Sequence, residues 1–143
     1  MKKIFIMLFL FYNILNIYAQ NKPEDYYINL DADQFYLAVN TQEVFLIDVR
    51  LFKKYRKSRI EGALPAVNKE SLISLCEKID PNTPIYLYCD DGDRSSTAAE
   101  ILGQELGFNK VYNLKGGLRQ WTNRYPLDES RIKKEESIIF DKY

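Results

Sequence analysis

Histidine is absent from all 143 residues. That absence excludes His-ligated metal centres, a Ser-His-Asp triad and a Cys-His pair. Any covalent or acid–base chemistry must therefore draw on cysteine, carboxylates, lysine, arginine, tyrosine or backbone dipoles, and neither a metal nor a cofactor is expected. Cysteine is nearly absent too, with Cys76 and Cys89 the only two. Net charge is missing as well, since 20 basic residues face 20 acidic ones. A phosphate-backbone partner needs a basic patch, and the basic residues here form only short local clusters, so nucleic acid is not an expected partner. There is no internal repeat. What the chain does have is an ordinary apolar fraction and many aromatics, mostly Tyr and Phe, enough for one compact domain with one core.

The first nineteen residues stand apart. "MKK" is a positive start, "IFIMLFLFYNILNIY" is an apolar run, and Ala19 offers a small residue before Gln20. This pattern predicts a signal peptide over residues 1–19, and Asn13 and Asn16 interrupt the run that a permanent membrane span would need. Its removal leaves 18 basic against 20 acidic residues, a net charge of −2. The expected location is periplasmic or secreted, which exposes both cysteines to a more oxidising compartment. Residues 20–30 read as a polar leader, 31–127 as the domain, and 128–143 as a charged C-terminal tail. A monomer is expected.

Within the domain, "DADQFYLAV" predicts a helix beginning near Asp31, with Phe35, Leu37, Ala38 and Val39 at helical spacing. "EVFLIDVR", "IYLYC" and "KVYNL" read as buried strands, and "IEGALPAV" as a short extended piece. "FKKYRKSR" reads as a basic connection with a solvated face. "KESLISLCEKI" places Leu72, Leu75, Cys76 and Ile79 on one helical face. "SSTAAEILGQELGF" predicts a helix starting at the serines and stopping near Gly107. "GGLRQWTNRY" predicts a Gly-led helix with Trp121 on its apolar side. Strands alternating with helices imply an α/β domain with a mainly parallel sheet. In such sheets chemistry sits beyond the carboxyl ends of the strands, where Cys89 follows one strand and Asp48 to Arg50 end another.

The stretch "CDDGDRS", residues 89–95, carries the candidate chemistry. A thiolate needs positive potential to persist near neutral pH. Inward-turned loop N–H groups and the start of the following helix supply it. Gly92 gives the loop its conformational freedom. Arg94 closes the loop, bonding to loop carbonyls or to a substrate oxyanion, and Ser95 and Ser96 can cap the helix or donate to sulfur. Asp90, Asp91 and Asp93 oppose an anion, and their side chains are expected to face outward. They should disfavour a small dianionic substrate more than a neutral or cationic one. Cys76 reads as a small core residue, with a Cys76–Cys89 disulfide as the alternative. Asp48 and Arg50 read as a supporting ion pair that holds the loops.

Four segments in order, "LIDVR" (46–50), "RIEGALP" (59–65), "IYLYCDDGDRS" (85–95) and "GFNKVYNLKGGLRQW" (107–121), resemble single-domain rhodanese-like sulfurtransferases. The resemblance spans about Asp31 to Pro126. It implies a mainly parallel five-stranded sheet with helices on both faces and a persulfide-forming cysteine in a C-x-x-G-x-R loop, matched here by Cys89, Gly92 and Arg94. By the same resemblance, Cys89 and Arg94 are catalytic, while Asp90, Asp91, Gly92, Asp93 and Ser95 line the substrate. The implied partners are a small sulfur donor and a thiol acceptor, small or on a protein. Related phosphatases and arsenate reductases carry a loop one residue longer, so the spacing favours sulfur over phosphate. A sulfur carrier or binding module on the same fold is the first alternative reading, and an oxyanion enzyme of the phosphatase or arsenate reductase kind the second. The chain departs from the family pattern at Arg59, where histidine is common, and in the acidic loop.

Overall fold

The computed structural model describes residues 26–125 and 127. The segments expected as signal peptide and C-terminal tail, and most of the leader, lie outside them. Among the described residues five strands form one sheet: β1 (Ile28–Leu30), β2 (Phe45–Asp48), β3 (Leu64–Pro65), β4 (Ile85–Tyr88) and β5 (Val111–Leu114). Their order is β1-β5-β4-β2-β3, and every neighbouring pair is parallel. Five helices connect them: α1 (Ala32–Thr41), α2 (Phe52–Lys57), α3 (Lys69–Cys76), α4 (Asp93–Glu105) and α5 (Gly117–Trp121).

The central strand explains the two-sided core. Successive side chains of a strand point to opposite faces. Ile85 and Leu87 pack on one side with Ile47, Val111 and the α3 and α4 residues Leu72, Cys76, Ala99 and Leu102. Tyr86 and Tyr88 pack on the other with Leu46 and the α1 and α5 residues Phe35, Leu118 and Trp121. Both faces are covered, so "IYLY" has no solvent side to make polar. Helix starts follow local chemistry. Asp31 caps α1 in a reciprocal capping box with Gln34, and Asn68 caps α3 in the same way with Ser71.

Three sequence expectations are revised. The leader contributes an edge strand, since Ile28–Leu30 pairs with Tyr112–Leu114 of β5. The "FKKYRKSR" connection contains helix α2, which buries none of its own residues. It is held instead from outside: the Arg50 guanidinium donates to the Ser58 carbonyl at its C-cap, and the Tyr55 hydroxyl donates to the Ala63 carbonyl. Helix α4 starts two residues before the serines, at Asp93, because Gly92 adopts a left-handed conformation (φ 99°) and serves as N-cap.

The pairing of β2 with β4 sets up the site. Asp48 lies opposite Tyr88, and the Val49 N–H donates to the Tyr88 carbonyl. The residues that end the two strands, Asp48–Arg50 and Cys89–Asp90, therefore leave the sheet side by side.

Candidate active site

Cys89 leaves β4 fully buried, at the base of a loop that runs into α4. The Gly92 N–H donates to Cys89 Sγ at 3.1 Å. Ser95 Oγ lies 3.4 Å from the same sulfur and 3.2 Å from the Gly92 carbonyl oxygen, so its single proton serves either acceptor. The sulfur thus sits behind the first turn of a 13-residue helix, where the unsatisfied N–H groups and the helix dipole favour negative charge. Asn113, buried on β5, donates from Nδ2 to the Gly92 carbonyl at 3.3 Å and to Asn29 Oδ1 at 2.8 Å.

A second turn holds the loop from the opposite side. Gly116 and Gly117, the N-cap and first residue of α5, both have positive φ, at 73° and 58°. From there the Leu118 N–H donates to the Cys89 carbonyl (2.9 Å) and the Arg119 N–H to the Asp90 carbonyl (3.0 Å). A side chain at Gly117 would place its Cβ 2.5 Å from Asp91 N and 2.6 Å from both the Asp90 carbonyl carbon and the Cys89 oxygen. One at Gly92 would meet Gly116 N at 3.1 Å and the Leu114 oxygen at 3.2 Å. The glycines here are required by backbone-to-backbone approach as well as by φ.

Asp48 and Arg50 form the expected ion pair, and both are buried. Arg50 Nε and NH2 reach the Asp48 carboxylate at 2.7–3.0 Å, and the Arg50 N–H donates to Asp48 Oδ1 at 2.9 Å. Burial works against the Arg50 charge, but the hydrogen bonds and field of Asp48 outweigh it and raise its pKa. Beside the pair, burial and the Asp48 charge push the Tyr88 phenol well above its ordinary range, while its oxygen accepts the Ile60 N–H.

The aspartates do not all face outward. Asp93 is exposed. Asp91 turns back over the loop: its Oδ1 accepts the Asp93 N–H at 3.2 Å and lies 3.5 Å from the Cys89 thiol. This is an Asx-type bond two residues on, which a short carboxylate side chain makes readily. The Asp93 N–H and the Cys89 thiol together hold the Asp91 carboxyl below the usual carboxylate range, so at neutral pH it is an anionic acceptor for the thiol proton. Asp90 turns to the cations: its Oδ2 accepts from Lys54 Nζ (2.8 Å) and Arg94 NH2 (3.0 Å), and Oδ1 stands 4.0 Å from Arg50 NH1. Arg94 therefore bonds a carboxylate instead of loop carbonyls, in keeping with the greater strength of charge-assisted pairs. Cys76 and Cys89 are both free thiols. Cys76 is a core residue whose pKa burial pushes up to about 11, which leaves it inert as a nucleophile at neutral pH.

Sequence reasoning missed Lys54, Asn113 and the intimacy of Gly117 with the loop. Asn113 had a visible signal, a lone polar residue in a strand otherwise buried. Lys54 had none, since it lies 36 residues from its partner in a run of similar cations.

With this geometry in view, the comparisons with known proteins are specific. Residues 31–124 match the rhodanese-like domain family. The chain belongs to that family. Among its relatives is the thiosulfate sulfurtransferase GlpE of Coxiella burnetii, 32% identical over 92 residues that cover 64% of this chain and 84% of that protein. The tRNA uridine(34) hydroxylase of Acinetobacter baylyi is 27% identical over 135 residues, 90% of this chain. The rhodanese-like chain matches just 42% of that larger protein's length. In three dimensions, a rhodanese-like domain from Anabaena superposes with a TM-score of 0.63 at 26% identity, covering 72% of this chain and 82% of that one. The thiosulfate sulfurtransferase of Pseudomonas aeruginosa gives 0.60 at 25% identity, over 71% of this chain and 20% of its own.

Gly117→Ala tests the loop-to-turn contact. A left-handed alanine alone costs about 1–2 kcal/mol, and the Cβ must also displace the backbone of the cysteine loop. Gly62→Ala is the control, because Gly62 has φ 80° but no atom within 4 Å of a built Cβ. Urea denaturation should show Gly117→Ala clearly the less stable variant; equal midpoints would contradict the packing described.

Proposed function

We propose that this protein is a sulfurtransferase that forms a persulfide on Cys89 and passes the outer sulfur to a thiol, small or on a protein, or to cyanide in an assay. The observation that carries this is the sulfur of Cys89 held by the Gly92 N–H at 3.1 Å at the start of α4, in a chain of the rhodanese-like family. In the first step the Cys89 thiolate attacks the outer sulfur of a sulfane donor. A new S–S bond forms, the donor's bond to that sulfur breaks, and the leaving group (sulfite, from thiosulfate) departs with the electron pair. In the second step an acceptor thiolate or cyanide attacks the outer sulfur and the Cys89 thiolate is regenerated. The Cys89 thiol proton, directed at Asp91, leaves to solvent before attack, and neither sulfur-transfer step then moves a proton, so the cycle needs no histidine base. The loop N–H groups and the helix start stabilise the anionic sulfur in both states.

The six-residue loop from Cys89 to Arg94 also supports sulfur over phosphoryl chemistry, since the phosphatase-type loop is longer by one residue. A sulfur carrier would use the same loading step without efficient turnover. We further propose that residues 1–19 direct export.

Thiocyanate formation from a sulfane donor and cyanide separates these readings. Wild type should turn over repeatedly, Cys89→Ser should fall to background, and p-nitrophenyl phosphate should not be hydrolysed. Stoichiometric loading without turnover would favour the carrier, and phosphate hydrolysis dependent on Cys89 would overturn sulfur transfer. For export, N-terminal sequencing of protein recovered from a bacterial periplasm should begin at Gln20, whereas an intact Met1 on the recovered protein would contradict a cleaved signal.

A further inference from the structure

One carboxylate at the mouth of the site is engaged by several cations at once. Asp90 Oδ2 receives Lys54 Nζ from α2 at 2.8 Å and Arg94 NH2 from α4 at 3.0 Å, while Oδ1 faces Arg50 NH1 at 4.0 Å. The other carboxylates around the loop are placed differently. Asp48 is consumed by Arg50, Asp91 by the Asp93 N–H and the thiol, and Asp93 is exposed. Arg119 lies near enough to Asp91 to help hold its carboxyl down. Arg50, Lys54, Arg94 and Arg119 thus each stand beside an internal anion.

We infer that Asp90 is a built-in counter-anion that occupies Lys54 and Arg94, so that the site favours sulfane donors carrying one negative charge, the thiosulfonate or persulfide class, over dianionic thiosulfate. This inference rests on the sulfurtransferase reading above and adds the donor class to it. An incoming dianion must compete for Arg94 and Lys54 with a partner already tethered in place, whose effective concentration is far above that of a dilute ligand. It gains little in exchange, because surface-type pairs contribute little net energy each. A monoanion needs those cations less. Lys54, on an otherwise unburied helix, becomes a specificity-determining residue whose charge is masked as long as Asp90 is present.

Thiosulfate and methanethiosulfonate make a matched pair of probes. In both, the Cys89 thiolate attacks the terminal sulfur and the S–S bond breaks, with sulfite leaving from the first and methanesulfinate from the second. The donors differ by one charge at the leaving group. Their kcat/KM values should be measured for wild type, Asp90→Asn, Asp90→Ser and the double variant Asp90→Asn/Lys54→Gln. Either substitution at Asp90 should raise kcat/KM for thiosulfate by about five- to tenfold, mainly through KM, as partly exposed ion-pair partners are released. The gain with methanethiosulfonate should be smaller, and the difference should shrink as salt is added. Adding Lys54→Gln should remove part of the thiosulfate gain, Arg94 carrying the rest. An unchanged or lower thiosulfate kcat/KM in both Asp90 variants would overturn the inference. So would equal gains with both donors, or a thiosulfate gain that Lys54→Gln leaves undiminished. If wild type takes sulfur from neither donor, nor from an alkyl persulfide, the sulfurtransferase reading itself fails, and the inference with it.

Discussion

The site depends on one close approach between two pieces of backbone. The loop that leaves β4 at Cys89 rests directly on the Gly116–Gly117 turn, with N–H groups of Leu118 and Arg119 donating to the Cys89 and Asp90 carbonyls. No Cβ fits at Gly117 without moving three backbone atoms of the loop. This contact fixes the carbonyl side of the loop. The N–H side, through Gly92, is then left to face the sulfur. Other supports, including Asn113 beneath Gly92 and Ser95 beside the sulfur, act on a loop already held in that orientation. A buried sulfur is in this way brought to a helix start with no histidine in the chain and, among the described residues, no basic side chain hydrogen-bonded to it.

Charge forms a second layer outside this frame. The buried Asp48–Arg50 pair joins the end of β2 to the C-cap of α2, and α2 in turn carries Lys54 to Asp90. Breaking such a buried pair by removing one partner is costly, because the other charge is left without compensation. The pair therefore serves the site by positioning α2. The carboxylates nearest the loop divide the remaining work: Asp91 meets the thiol, and Asp90 meets the cations.

Much of this was legible from residue patterns, and the rest was hidden for identifiable reasons. The buried strands were visible because both faces of the sheet are covered, which makes "FLID" and "IYLY" apolar at nearly every position. The α1 start was visible because Asp31 and Gln34 make a local capping box. Strand β1 was not, since it is an edge of three residues with Ile28 exposed, and nothing in its composition distinguishes it from a polar leader. Helix α2 was missed because it buries none of its residues and so has no apolar stripe. The Cys89–Gly92–Arg94 spacing was legible, as local loop chemistry is. The directions of Asp90 and Asp91 were not, because they are decided by Lys54, Arg94 and the Asp93 N–H after the chain has folded.

The central claim is that the sulfur of Cys89, and not that of Cys76, takes up a sulfane sulfur. Both thiols are buried, yet one meets a helix start and the other only the core, where its pKa is pushed up to about 11. Trypsin separates them at Lys78. Peptide masses taken after exposure of the folded protein to a sulfane donor should therefore show one added sulfur on the peptide bearing Cys89 and none on the peptide bearing Cys76. Added sulfur on Cys76, or none on Cys89 with any donor, would contradict the account.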